Sequence, residues 1–126
     1  MRTEAAVRRY WQDVAQQKEE ALREYFTQNA RIRWHNTNEQ FTAEEFIRAN
    51  CDYPGDWQGE VERIVASGDT LITVTRVWSK DISTHVVSFF ALKGEQIETL
   101  DEYWGEDGAP PQWRREMRLG RPIHER

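Results

Sequence analysis

TLITVTRVWSKDISTHVVSFFALKGEQIETLDEYW, residues 70–104, is the stretch on which the fold turns. Valine, isoleucine, threonine and aromatics fill it, and it breaks only at Lys80-Asp81-Ile82-Ser83 and Lys93-Gly94-Glu95-Gln96. That composition between short polar turns predicts strands at about 70–79, 84–93 and 96–104, joined as antiparallel hairpins. Upstream, Ser67-Gly68-Asp69 separates the run from a further strand at about 59–67. The turns also suggest a register. With Gly94-Glu95 as a type II′ loop, Phe89 faces Leu100, Val87 faces Glu102 and His85 faces Trp104. With Asp81-Ile82 at the centre of the preceding hairpin, Trp78 faces His85, Arg76 faces Val87 and Val74 faces Phe89. The two registers agree in parity. One face is therefore expected to hold Val74, Arg76, Trp78, His85, Val87, Phe89, Leu100, Glu102 and Trp104. The other carries Leu71, Thr73, Thr75, Val77, Val86, Ser88, Phe90, Ile97, Thr99 and Tyr103, a threonine-rich surface suited to flat contact between two copies of the chain.

Ahead of the strands, Thr42-Ala43-Glu44-Glu45 reads as a capping box, with Phe41 and Phe46 placed for a hydrophobic staple. That helix runs to about Cys51 and must stop before Tyr53-Pro54-Gly55. Residues 3–28 repeat apolar side chains at helical spacing: Val7, Tyr10/Trp11 and Val14, then Leu22 and Tyr25/Phe26. The phase slips across Gln16-Gln17-Lys18, which predicts a long helix, a bend and a shorter second helix. Arg31–Asn36 alternates as a strand, with Ile32, Trp34 and Asn36 on one side. Glycines and prolines punctuate 105–126, where Trp113 and Met117 suggest a tail that packs on the body. The plan is α+β: a curved antiparallel sheet wrapped around three N-terminal helices.

At 126 residues the chain fits one domain, with a core at about 5–106 and the tail at 107–126. A formal net charge of −5 argues against nucleic acid or an anionic membrane as partner. The single Cys51 excludes an intramolecular disulfide and a cysteine-rich zinc site, and fits a cytoplasmic setting and a small core residue. No apolar run is long enough to span a bilayer, and Met1-Arg2-Thr3-Glu4 does not open a signal peptide. Six tryptophans are a large share for this length, and they direct attention to a pocket.

On the expected face, Arg76 and Glu102 flank Val87, so a buried ion pair is one reading and a general acid/base is the other. His85 could carry a proton beside Trp104, or sit half-exposed at a strand end. Trp34, Trp78 and Trp104 suit either an aromatic cage or a filled core. Tyr10 competes as pocket hydroxyl and as helix-packing residue, while Trp57 and Trp113 are placed to cover the ends of the cone. His35, His85 and His124 do not assemble into a three-histidine zinc site, and no cofactor is implied.

The segment Tyr10–Asn36, with Ala21-Leu22, Tyr25-Phe26, Asn29-Ala30 and Ile32-x-Trp34, resembles the start of the nuclear transport factor 2-like superfamily. Phe90-Ala91-Leu92-Lys93-Gly94-Glu95-Gln96-Ile97, running into Asp101-Glu102-Tyr103-Trp104, resembles its SnoaL-like branch. Trp34–Glu39, Asn50–Pro54 and Glu102–Gly108 are similar to a bacterial subgroup of that branch without an assigned reaction. The resemblance implies a cone-shaped α+β barrel, cystatin-like in plan, with a pocket between sheet and helices and dimerisation through the outer sheet face. It places Tyr10, Trp34, Asn36, Val74, Trp78, Val87, Phe89, Leu100 and Trp104 around a small, partly aromatic or apolar ligand. Compared with limonene epoxide hydrolases, an arginine (Arg76) and an acid (Glu102) remain, but Trp34 and Trp78 replace a tyrosine and an aspartate. Ketosteroid isomerases share a tyrosine at Tyr10 but need a carboxylate where Trp34 stands, and SnoaL-type cyclases use a late acid that Glu102 resembles. Three functions follow as expectations: a ligand-binding protein, a hydrolase, isomerase or cyclase acting through Glu102 with Arg76 and His85, and a dimeric assembly module.

Overall fold

The helical stripe Val7, Tyr10, Trp11 and Val14 becomes the buried face of α1 (Glu4–Ala15), whose first turn is capped by the Thr3 hydroxyl accepting from the Ala6 amide. The phase slip is a real break. Gln17 adopts a left-handed φ of 56°, and α2 (Glu19–Arg23) restarts beyond it. The computed structural model describes residues 1–124. The second helix is shorter than expected, because the chain is already extended at Phe26, where β1 (Phe26–Trp34) begins. A short β2 (Glu39–Thr42), not anticipated from the sequence, leads into α3 (Ala43–Cys51). There both halves of the capping box form, Thr42 Oγ1 accepting from Glu45 N–H at 3.2 Å and Glu45 Oε1 from Thr42 N–H at 2.9 Å. Then come β3 (Gln58–Ser67), β4 (Thr70–Trp78), β5 (Ser83–Lys93) and β6 (Gln96–Glu106).

The six strands form one curved, unclosed sheet in the order β2-β1-β6-β5-β4-β3, antiparallel except for β1 against β6. Its concave side faces α1–α3, and Tyr10, Trp11, Phe46 and Phe90 fill the space between, each worth about 1.5–3 kcal/mol of apolar burial. Beyond Glu106 the tail carries α4 (Gln112–Glu116). The expected packing of this tail on the body is not seen: Trp113 is 57% exposed, and Met117 and Ile123 are also exposed. The last two residues of the expected tail lie outside the described residues.

The expected sheet register is corrected at one point. The turn at Gly94-Glu95 forms as read, with Lys93 opposite Gln96 and Leu92 opposite Ile97. One residue later Ala91 pairs with Thr99, so Glu98 is an extra residue in β6, a β-bulge. A slip of one residue reverses which side chains share a face. The β4–β5 hairpin is displaced by two positions, pairing Trp78 with Ser83 and Arg76 with His85, which leaves its parity intact. The outcome is a concave face with Leu71, Thr73, Thr75, Val77, Val86, Ser88 and Phe90 alongside Leu100, Glu102 and Trp104. Val74, Arg76, Trp78, His85, Val87 and Phe89 lie on the convex face with Asp101 and Tyr103. The threonine-rich face expected to join two copies is thus the inside of the protein, with Thr73 and Thr75 fully buried.

Candidate functional site

The register orders the concave side into rungs that cross the sheet. Leu71, Phe90, Leu100 and Ile32 make an apolar rung, all but closed to solvent. The next holds Thr73, Ser88, Glu102 and Trp34. After it come Thr75, Val86 and Trp104, then Val77, Thr84 and Glu106 at the edge. The sheet is apolar at the Leu71–Ile32 rung and mixed in polarity beyond it, and the far end is hollow.

The hollow measures about 340 Å³ and is lined by Trp34, Trp57, Trp104, Tyr53, Val77 and Ile82, with Val14 and Ala15 from α1 above them. Its rim is tied by the bend after α1: Gln17 Nε2 donates to the backbone carbonyls of Asn50 (2.7 Å) and Tyr53 (2.5 Å), fastening the start of the helical layer to the end of α3. Trp57 is held against Tyr53 (ring centroids 5.4 Å apart) and donates from Nε1 to Pro54 O. Gly55 between them has φ 125°, and a Cβ there would meet Trp57 Nε1 at 3.1 Å, so this turn requires glycine. Trp34 and Trp104 meet edge to face at 6.3 Å, and Asn36 Oδ1 accepts from Trp104 N–H at 2.7 Å, joining the end of β1 to β6.

Glu102 lies one rung beneath this floor and is 1% exposed. Ser88 Oγ donates to its Oε2 at 2.6 Å and Trp34 Nε1 to its Oε1 at 3.1 Å. Burial outweighs these two donors and pushes its carboxyl up to about 7. The Trp34 indole thus has one edge on the carboxyl and its ring in the pocket wall. Tyr10 packs edge-on against Trp11, Tyr25 and Phe90, and its phenol is raised well above the ordinary value, first by burial and then by the Glu102 charge. Its hydroxyl, Thr75 Oγ1 and Trp104 Nε1 are buried without a hydrogen-bond partner among the described residues. Such groups are rare in protein interiors.

Of the residues singled out from the sequence, Trp34, Asn36 and Trp104 line the hollow, while Tyr10, Leu100 and Glu102 form the layer beneath it. Arg76 and His85 do not join Glu102. On the convex face the Arg76 guanidinium stacks 4.4 Å over Trp78 and donates from Nε to Ser83 Oγ. His85 is held between Asp107 Oδ1 (2.5 Å) and Glu62 Oε1 (2.9 Å). The expected Arg76–Glu102 ion pair is excluded by the bulge, and with it any joint acid/base role for these residues. Val74, Trp78, Val87 and Phe89 likewise leave the expected lining. Gln17, Asn50, Tyr53 and Ile82 were not singled out for the pocket. Of these only Gln17 had a local signal, the break in helical phase. Cys51 is half-buried at the end of α3, its thiol raised by burial, in keeping with a packing residue. Among the described residues no three His, Cys, Asp or Glu side chains are grouped to hold a metal, and no helix is long and apolar enough to cross a membrane.

The fold is that of known structures. A candidate ketosteroid isomerase from Kribbella flavida superposes with a TM-score of 0.78 at 24% identity, covering 96% of this chain and 89% of that one. A nuclear transport factor 2-like protein of unknown function from Burkholderia xenovorans matches at 0.78 and 19% identity, over 95% and 94% of the two chains. An epoxide hydrolase of the limonene type from Mycobacterium tuberculosis matches at 0.65 and 11% identity, over 80% of each. Proteins sharing a fold to this degree can differ in chemistry. No curated protein matches the sequence significantly. The SnoaL-like domain model matches residues 7–100, so the chain belongs to the SnoaL-like family.

Proposed function

We propose that the protein binds a small, largely apolar or aromatic molecule in the hollow at the open end of the sheet. The observation that carries this reading is the enclosure of about 340 Å³ by three indoles, a tyrosine and aliphatic side chains, within the range of ~300–1,000 Å³ usual for ligand sites. Tryptophan fluorescence gives a direct test. A ligand seated on Trp34, Trp57 and Trp104 changes their emission, and Trp57→Ala is expected to weaken affinity by about tenfold, the equivalent of ~1.4 kcal/mol. Unchanged affinity in that variant rejects the pocket.

A second reading, turnover with Glu102 as general acid/base, is supported by a buried carboxyl poised at about 7 that shares the Trp34 indole with the pocket. It no longer involves Arg76 or His85. A pH–rate profile that loses its limb near pH 7 in Glu102→Gln supports it, and an unaltered profile rejects it. Two expectations accompany either reading. The lone free Cys51 suits a cytoplasmic setting, and pairing of two copies has the convex face available, where Phe89 and Tyr103 are exposed. Sedimentation of Phe89→Glu tests the pairing.

A further inference from the structure

The charge lining the hollow is of one sign. Of the described residues lining it, Glu106 alone is charged, and its carboxylate has no ion-pair or hydrogen-bond partner among them. Glu106 ends the outermost rung, opposite Thr84, so it stands at the mouth, above the indoles of Trp34 and Trp104. Among the described residues no lysine or arginine lines the cavity.

Indole faces carry the negative side of the ring quadrupole and attract a cation placed over them, by about 0.5–1 kcal/mol in exposed sites and ~2 or more in desolvated ones. A carboxylate at the same mouth adds a charge partner. An anionic ligand meets the reverse: an unpaired like charge and no counter-ion. A neutral ligand gains from the walls and nothing from Glu106.

Building on the pocket proposed above, we infer that its ligand is an organic cation, an amine or quaternary ammonium on an apolar body. The charged head sits between the Glu106 carboxylate and the indoles, and the apolar body rests on Val14, Val77 and Ile82.

Three compounds with one body and different heads test this: 1-aminoadamantane, 1-adamantanol and 1-adamantanecarboxylate, titrated calorimetrically at pH 7. The amine is expected to bind about tenfold tighter than the alcohol, and the carboxylate more weakly than either. Glu106→Gln is expected to bring the amine to the affinity of the alcohol, whose own affinity does not move. Glu106 is exposed and unpaired, so this variant folds as the parent does, and circular dichroism verifies it. If alcohol and amine bind the wild type equally, or the preference survives Glu106→Gln, the cation inference is overturned while the pocket stands. If none of the three binds, the pocket reading falls with it.

Discussion

The two faces of the sheet each hold a hydrogen-bonded carboxyl, Glu102 within and Asp107 without, and the two behave in opposite ways. On the concave side Glu102 has neutral donors only, Ser88 and Trp34, and burial raises it to about 7. On the convex side, burial also pushes the Asp107 carboxyl up, but hydrogen bonds from Ser83 and His85 and the charges of His85 and Arg76 prevail, leaving it lowered. Acid groups of the same kind thus move in opposite directions, because one lost its water without gaining a cation and the other kept both. The bulge, which leaves Glu98 unpaired, sets Glu102 opposite Ser88 and so on the other side of the sheet from Arg76. The structure thereby holds one carboxyl near neutrality, which an adjacent guanidinium would prevent.

Lengthening β6 beyond the bulge is the most severe way to break the contrast. Deleting Glu98 leaves the faces as they are, since Thr99 then follows Ile97 and keeps Ala91 as its partner. Insertion of one alanine between Thr99 and Leu100 instead moves Leu100 opposite Phe89, turning Leu100, Glu102 and Trp104 outward and Asp101 and Tyr103 inward. Exposing a buried leucine and burying a charged aspartate costs an amount comparable with the ~5–15 kcal/mol by which domains of this kind are stable. No cooperative thermal transition is expected for the insertion. A sharp transition with wild-type near-ultraviolet dichroism would show that the residue count along β6 does not hold the faces apart.

The bulge also marks where sequence reading stops. Helix starts, the break at Gln17 and the extents of four strands were legible because each rests on local chemistry: a capping box, a phase slip, β-branched runs between turns. Trp34, Glu102 and Trp104 share the concave side with Ile32 and Leu100 by the alternation of β1 and β6, whereas Asn36 lies past the end of β1. Glu98 within Ile97-Glu98-Thr99-Leu100 looks like any outward strand residue, and only its partners across the sheet show that it is extra. β2 is four residues of edge strand, and both its pairing with β1 and the contact of Phe41 with Trp34 are made only in the folded chain. The pocket rim unites the α1–α2 bend, the end of α3 and the β4–β5 loop, a tertiary proximity that no spacing along the chain records.

Adjacent phenylalanines sharpen the comparison further. Phe90 is fully buried on the concave side and packs on Tyr10, whereas Phe89 is 39% exposed on the other. Phe90→Ala is expected to cost about 3–5 kcal/mol, and Phe89→Ala under about 1 kcal/mol. Denaturant midpoints compare them, and equal losses would contradict the assignment of faces.

Glu102→Gln probes the raised carboxyl itself. Because its pKa rises on folding, from the ordinary carboxyl range to about 7, the stabilisation this supplies is complete below about pH 4.5 and is lost as pH climbs through 7. Glutamine does not ionise. Between pH 4.5 and 8 the wild type should therefore lose up to about 3 kcal/mol relative to the variant, at ~1.4 kcal/mol per pKa unit. Parallel stability curves over that interval would mean that the carboxyl titrates normally.

The convex cluster should respond with the opposite sign and a smaller amplitude. Asp107 is lowered in the folded protein, so its contribution is present above the unfolded carboxyl range and fades as pH falls through the folded value. Its side chain is partly exposed and shares His85 with Glu62, which limits the effect to under about 1 kcal/mol. Asp107→Asn should accordingly be slightly less stable than wild type at pH 7, equal to it at the lowest pH where both still fold, and closer to it in high salt, where screening weakens exposed pairs. A deficit that persists at low pH would show that Asp107 acts through its side-chain hydrogen bonds with Ser83 and His85 and not through its charge.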